Sequence, residues 1–282
     1  MHLVTFRVEA DGKSLPGVLD GDTVLSLDKA GVPDTMLGIV QEGQSAIQRI
    51  RAALPSAQRY PRSLVRLEAP IRPGKVLCSG VNYKGHALEM PNAVLPDEPF
   101  FFAKLPTSIA GPESPVRRTD ATQQMDYEVE FCAVIGKPLY QAREEEIMPA
   151  LFGYTVMNDL SARDIQFRNS QITLGKNLPA FAPIGPAIVT ADTLTDPGHV
   201  RLRTRVNGTT MQDGCTSDWL FPLPRLIAWL SGFLPLDPGD IVSTGTPPGV
   251  GVFRNPQVFL APGDIVEVEA DGIGVIRTPI LA

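Results

Sequence analysis

The stretch Met125-Asp126-Tyr127-Glu128-Val129-Glu130-Phe131-Cys132-Ala133-Val134-Ile135-Gly136 alternates acidic with apolar residues and then becomes wholly apolar. On a strand, side chains two apart share a face and stand roughly 6–7 Å apart along the backbone. Glu128 and Glu130 therefore point one way, and Val129, Phe131, Ala133 and Ile135 point the other way into a core. Two like charges on one strand face repel unless something neutralises them. A divalent cation does this well, because hard cations prefer carboxylate oxygens; without one, the pair would be an exposed acidic face. A second β-rich run, Tyr154-Thr155-Val156-Met157, leads directly into Asn158-Asp159. Asp159 at that strand end is placed to reach a neighbouring strand. Glu128, Glu130 and Asp159 would then supply three oxygen ligands and leave positions open for water and substrate, as catalytic Mg²⁺ or Mn²⁺ requires.

The rest of the chain fits a folded protein around this pair of strands. Its 282 residues carry 25 Lys+Arg against 31 Asp+Glu, a formal charge of −6, with 43% hydrophobic and 20% charged residues. That balance excludes an intrinsically disordered chain. The acidic balance argues against broad nucleic-acid binding, which needs a basic face. There is no run of about 18 apolar residues to cross a membrane as a helix. The opening MHLVTFRVEADGKS lacks the basic and apolar regions of a signal peptide. Cys78, Cys132 and Cys215 are odd in number and widely spaced, so they read as free thiols in a reducing cytoplasm.

The 27 prolines and 25 glycines are spread along the chain and predict few long helices and many short strands. Leu3–Val8 reads as a strand, and Pro16–Leu27 as a hairpin around Asp20-Gly21-Asp22. Leu37, Val40, Ile47, Ile50 and Leu54 recur at helical spacing, predicting a helix capped by Asp34 and running to about Leu54. A boundary falls near residue 70, between a small N-terminal α+β module over 1–70 and a second domain over 71–282. In that second part Pro238-Gly239-Asp240-Ile241-Val242 recurs as Pro262-Gly263-Asp264-Ile265-Val266, predicting two similar turns that each lead into a strand. Asp271-Gly272 marks another hairpin. Helices are expected over Ala142 to about Leu151, with Glu144-Glu145-Glu146 as its solvated start. A second should begin at Ser161, where Ser161-x-x-Asp164 fits a capping box. The fold class expected is α+β, mainly β.

Several motifs in order resemble the fumarylacetoacetate hydrolase family over roughly Lys75 to the C-terminus. Gly80-Val81-Asn82-Tyr83-x-x-His86-x-x-Glu89 is similar to its glycine–asparagine–tyrosine segment with lid histidine and glutamate. Asp126-Tyr127-Glu128-Val129-Glu130 resembles the metal strand, and Asn158-Asp159-Leu160-Ser161-Ala162-Arg163-Asp164-x-Gln166 the third-ligand segment. Gly175-Lys176, Phe181-x-Pro183-x-Gly185-Pro186 and Ser243-Thr244-Gly245-Thr246-Pro247-x-Gly249-Val250-Gly251 resemble the lysine segment, its continuation and the substrate-carboxylate loop. The resemblance implies a mixed β-sandwich roll, a homodimer, and Mg²⁺ or Mn²⁺ on Glu128, Glu130 and Asp159. It also implies a His86–Glu89 pair on a segment that closes over a small-molecule 2-oxo acid.

A 2-oxo acid offers its carboxylate and keto oxygens to one cation, which acts as a Lewis acid. Cleaving the C–C bond beside that keto group leaves an enolate, and Lys176 is placed by the resemblance to donate to its oxyanion. His86 and Glu89 lie one helical turn apart, where a carboxylate fixes an imidazole's tautomer and raises its basicity. Such a pair would activate water. Arg163 and Gln166, also on one helical face, are candidates for the distal polar end of the substrate. Thr246 is the candidate contact of the glycine-rich loop, and Lys104 is placed near the pocket. One departure stands out: Pro179 and Ala180 occupy positions where the family pattern has aspartate–threonine, so a less polar substrate is expected beside Lys176. The leading expectation is hydrolytic C–C cleavage of an acylpyruvate or 2,4-dioxo acid. The alternatives are decarboxylation or isomerisation of a 2-oxo acid on the same metal, or a non-catalytic binding homologue.

Overall fold

In the computed structural model, which describes residues 1–8, 12–91 and 94–282, the expected strand-dominated α+β architecture is present. The long central sheet runs, in spatial order, through Arg59–Pro61, Thr23–Ser26, Ser14–Asp20, His2–Val8, Ala182–Thr190, Leu151–Asn158, Val129–Ile135, Ile241–Ser243, Val76–Ser79 and Phe101–Lys104. A second sheet, Thr209–Cys215, Arg201–Val206, Ile265–Ala270, Gly274–Leu281 and Val116–Arg117, packs against it.

The strand Val129–Ile135 sits inside this assembly and is buried along its whole length. Val129, Phe131, Ala133 and Ile135 enter the core between the sheets with Tyr154, Leu202, Val268 and Ile276. Cys132 and Val134 enter a second core, against Ile39, Val40, Ile47 and Ile50 of the N-terminal helices. Removing such side chains from water stabilises by roughly 1.5–3 kcal/mol each, and here both faces of one strand contribute. The N-terminal strand His2–Val8 pairs with Ala182–Thr190, with His2 opposite Val189, so residues of the first 70 extend the same sheet.

Several local expectations hold. Ser14–Asp20 and Thr23–Ser26 form the hairpin around Gly21-Asp22. Ile265–Ala270 and Gly274–Leu281 form the one around Asp271-Gly272. The repeated Pro-Gly-Asp turns match in detail. The Asp240 carboxylate accepts from Asp237 N and that of Asp264 from Ala261 N, both at 2.7 Å, with Gly239 and Gly263 at φ +94° and +99°.

Three helix expectations need correction. The segment 34–54 is two helices, Met36–Glu42 and Gln44–Ala53, broken where Gly43 adopts φ +59°. Its cap is Thr35, whose hydroxyl accepts from Gly38 N, and not Asp34. The helix expected over 142–151 covers only Glu144–Ile147 and gives way to a 3₁₀ turn over Met148–Ala150, because Pro149 lacks a donor; Glu144–Glu146 are exposed as expected. Ser161 does not cap a helix. Ser161-Ala162 pairs with Met125-Asp126, the Ser161 hydroxyl donates to Asp159 O, and Asp164 accepts from Thr122 Oγ1 and Gln123 N. Long-range pairing overrides the local Ser-x-x-Asp signal. The short helix that follows is Arg163–Gln166.

Candidate active site

Strand register assembles the carboxylates. Val129 lies opposite Asn158, and Asp159 N donates to Glu128 O at 2.8 Å, so Asp159 meets Glu128 where the two strands end. Ligand oxygens of Glu128, Glu130 and Asp159 lie within 4.8 Å of one another, and all three residues are at most 4% exposed. An all-oxygen donor set on buried carboxylates suits Mg²⁺ or Mn²⁺, so these residues fit the cation that the motifs imply.

Cations crowd the same spot. Lys176 Nζ donates to Glu128 Oε2 at 2.5 Å and Asp159 Oδ2 at 2.7 Å, and lies 5.0 Å from the centre of the Phe102 ring. Lys104, on Phe101–Lys104, donates to Asp159 Oδ1 at 2.5 Å, to Leu160 O at 3.3 Å and to Lys176 O. Arg163 donates to Glu128 Oε1 at 2.6 Å, to Asp126 Oδ2 at 2.9 Å and to Gln166 Oε1 at 2.9 Å.

These contacts split the two glutamates. Burial pushes Glu128 up, but Arg163 and Lys176 overrule it and hold the carboxyl well below the ordinary range. Burial, reinforced by Asp159 and Glu128, pushes Glu130 well above that range, and the Ser243 hydroxyl that donates to it does not reverse this. Burial works against the charge on Lys176, yet Asp159 and Glu128 raise it, so the ammonium stays protonated.

The dyad lies on the helix Lys84–Glu89. His86 Nδ1 meets Glu89 Oε1 at 2.6 Å, and Glu89 Oε2 accepts from Gly249 N at 2.7 Å. The other glutamate oxygen therefore ties the dyad to the glycine-rich loop. The helix start is held by Asp218, which accepts from Gly85 N at 2.8 Å.

The structure thus brings together Lys104, Glu128, Glu130, Asp159, Arg163, Gln166 and Lys176, and sets His86, paired with Glu89, near enough for its charge to bear on Glu128. The Thr246 hydroxyl is engaged within the protein, donating to Val129 O at 2.9 Å and accepting from Gln212 Nε2 at 2.8 Å. Ala180 lines a different cavity, with Thr5, Pro70 and Ile109, and its N–H donates to Thr107 O at 3.3 Å.

Sequence reasoning missed the bracing residues. Asp126 is fully buried and accepts from Arg163 Nε, Tyr127 N, Gly251 N and Val252 N. A Cβ on Gly251 would collide with Val258 O and crowd Asp126, so only glycine admits this approach. Asn82 accepts from Phe221 N at 2.9 Å and donates to Thr244 O at 3.0 Å, joining the dyad segment to the loop. Asp126 lies two residues before Glu128, and that spacing was its available signal.

The fumarylacetoacetate (FAA) hydrolase C-terminal model matches residues 75–281. The chain belongs to the fumarylacetoacetate hydrolase family. Within this enzyme family it is 43% identical to the mitochondrial oxaloacetate tautomerase of Xenopus laevis, over 100% of this chain and 90% of the relative. A fumarylacetoacetate hydrolase from psychrophilic Exiguobacterium antarcticum shares its fold with TM-score 0.87 at 36% identity, covering 99% of both chains. The maleylpyruvate hydrolase of Sphingobium sp. SYK-6, solved with manganese(II) and pyruvate, gives TM-score 0.83 at 27% identity over 100% of this chain and 99% of its own. Among the described residues, no helix is long and apolar enough to cross a membrane.

Proposed function

We propose that the chain is a Mg²⁺- or Mn²⁺-dependent enzyme that interconverts the enol and keto forms of a 2-oxo acid of the oxaloacetate kind through its enolate. The observation that carries this reading is the buried array in which Glu128, Glu130 and Asp159 face the Lys176 ammonium. The likeness to an oxaloacetate tautomerase supports proton transfer over C–C hydrolysis, the leading expectation from the motifs. The metal, held by the three carboxylates, supplies Lewis-acid polarisation of the keto and carboxylate oxygens.

The chain's own residues do the rest. Lys176 is a fixed positive charge for the enolate oxygen, not a base, because its neighbours keep it protonated. His86 is the proton carrier: its Nδ1 contact with Glu89 orients the ring and leaves Nε2 to take a proton from the enol hydroxyl or C3 and return it to the other. Lys104, Arg163, Gln166 and Thr246 brace this array, since their polar atoms have protein partners. Charge fits an anionic substrate. Four buried carboxylates (Asp126, Glu128, Glu130, Asp159) face three cations (Lys104, Arg163, Lys176), so with every carboxylate ionised a bound divalent ion leaves an excess of one positive charge.

The test follows enol-oxaloacetate by its ultraviolet absorbance and by mass. Tautomerisation removes the enol signal with no change in mass. A second reading, hydrolysis of an acylpyruvate, is favoured by the anchored His86–Glu89 pair, which is also suited to activating water. Cleavage of an acylpyruvate into two acids with a higher kcat/KM than enol conversion would replace the first reading with the second. Release of CO₂ would select the decarboxylase, and oxalate binding without any turnover would select a binding protein. We also propose, from the motifs and composition, a homodimeric cytoplasmic enzyme whose two units divide near residue 70; light scattering of the purified protein reads its oligomeric state.

A further inference from the structure

A second polar site lies away from the metal carboxylates, on the N-terminal part of the sheet. Alternate residues of three neighbouring strands present one face: Thr5 and Arg7, Ser14 and Pro16, Arg66 and Glu68. Together with Arg72 and Asp34 they line a cavity of about 680 Å³, a size typical of small-molecule sites. The register sets Arg7 directly opposite Arg66, and like charges directly opposite on neighbouring strands repel. Glu68 answers only one of them: it accepts from Arg7 Nη2 at 2.9 Å and from Ser14 Oγ at 2.5 Å. Arg7 Nε is buried with no partner. Among the described residues, neither the Arg66 nor the Arg72 side chain makes a hydrogen bond or ion pair, and both are exposed enough to be reached.

We propose that this cavity binds a small polyanion, a polycarboxylate or a phosphate ester, recognised by Arg66 and Arg72 with Arg7 at its inner end. Guanidinium groups match the planar fork of a carboxylate or the oxygens of a phosphate in paired hydrogen bonds. Two unanswered arginines on one cavity wall call for a ligand with at least two negative charges. The ligand is not the substrate, because Lys176, His86 and the metal carboxylates do not line this cavity. The proposal stands whatever reaction the metal site performs.

The experiment is calorimetric titration of the Mg²⁺-loaded full chain, at constant ionic strength, with inorganic phosphate and separately with tricarballylate. Wild type should bind at least one probe; phosphate alone identifies a phosphate ester, and tricarballylate alone a polycarboxylate. Arg66→Ala/Arg72→Ala should weaken that binding at least tenfold with turnover and melting temperature unchanged. Arg66→Gln, which keeps the polar strand position, serves as the milder variant and should weaken it several-fold. No binding of either probe to wild type, or equal affinity in wild type and in a folded double variant, would overturn the proposal.

Discussion

The carboxylates Glu128, Glu130 and Asp159 and the His86–Glu89 helix, which the proposed reaction would use together, are held in opposite ways. Glu128, Glu130 and Asp159 stand at the ends of strands buried on both faces, and three cations and the Ser243 hydroxyl grip them. The dyad rides on a helix of six residues whose ties to the body are few, chiefly Gly85 N to Asp218 and Gly249 N to Glu89. Its Leu88 is 61% exposed. Groups that must hold a cation need fixed geometry, whereas a group that carries a proton to and from a substrate needs a segment able to open and close. The fold places the carboxylates on core strands and the dyad on a short helix at the edge of that core.

The strongest way to break this comparison is to remove the cation or one ligand. EDTA should abolish turnover and Mn²⁺ or Mg²⁺ restore it, and Glu130→Gln should cost more than the 10–100-fold typical of residues behind the ligands. Full activity in EDTA would refute the metal half of the comparison. Next in size, His86→Ala should lower kcat by about 10²–10⁴ while Mn²⁺ affinity, read by electron paramagnetic resonance, stays at the wild-type value. Loss of Mn²⁺ together with turnover would make His86 part of the rigid half.

Asp126→Asn probes the brace between the two regions. Asp126 holds Arg163 on one side and the Gly251 and Val252 amides on the other. The variant keeps one acceptor oxygen but loses the charge. Metal affinity should fall about 10–100-fold, with a smaller change in kcat at saturating Mn²⁺. A fall in kcat alone would place Asp126 with the dyad.

The sequence made the carboxylates legible because a strand's period of two shows on paper, as with Glu128 and Glu130, and because Asn158-Asp159 ends a β-rich run. The dyad was legible from its three-residue spacing. The partners of Arg163 were not: Asp126 and Glu128 lie 37 and 35 residues away, and only the pairing of strands brings them together. The same holds for Lys104, 55 residues from Asp159. Helical periodicity over 34–54 showed most of the buried face, since Val40, Ile47 and Ile50 are in the core, but it put the half-buried Leu37 and Leu54 there in place of Ile39, and it did not show that Gly43 turns the chain between two helices. Local pattern predicts which face is buried; tertiary contacts decide where elements stop and which charges meet.

The smallest effect concerns protons and sharpens the rigid half. Without metal, burial and the charges of Asp159 and Glu128 raise Glu130 well above its ordinary value of 4.5. A cation needs the carboxylate, so binding must displace the proton that Glu130 carries. Affinity for Mn²⁺ should therefore rise with pH below that raised value, by up to about tenfold per pH unit for a single released proton. The stability of the EDTA-treated protein should move the other way. A carboxyl raised in the folded state binds more proton than in the unfolded chain, so its contribution is full below 4.5 and is lost as pH rises through the raised value. Adding Mn²⁺ should cancel that loss, because the cation then takes the place of the proton. Titration calorimetry in two buffers of different ionisation heat counts the protons released, and melting curves with and without Mn²⁺ read the stability. A Mn²⁺ affinity flat with pH, with no proton released, would show that Glu130 is already ionised and that four charged carboxylates stand against three cations before the metal binds.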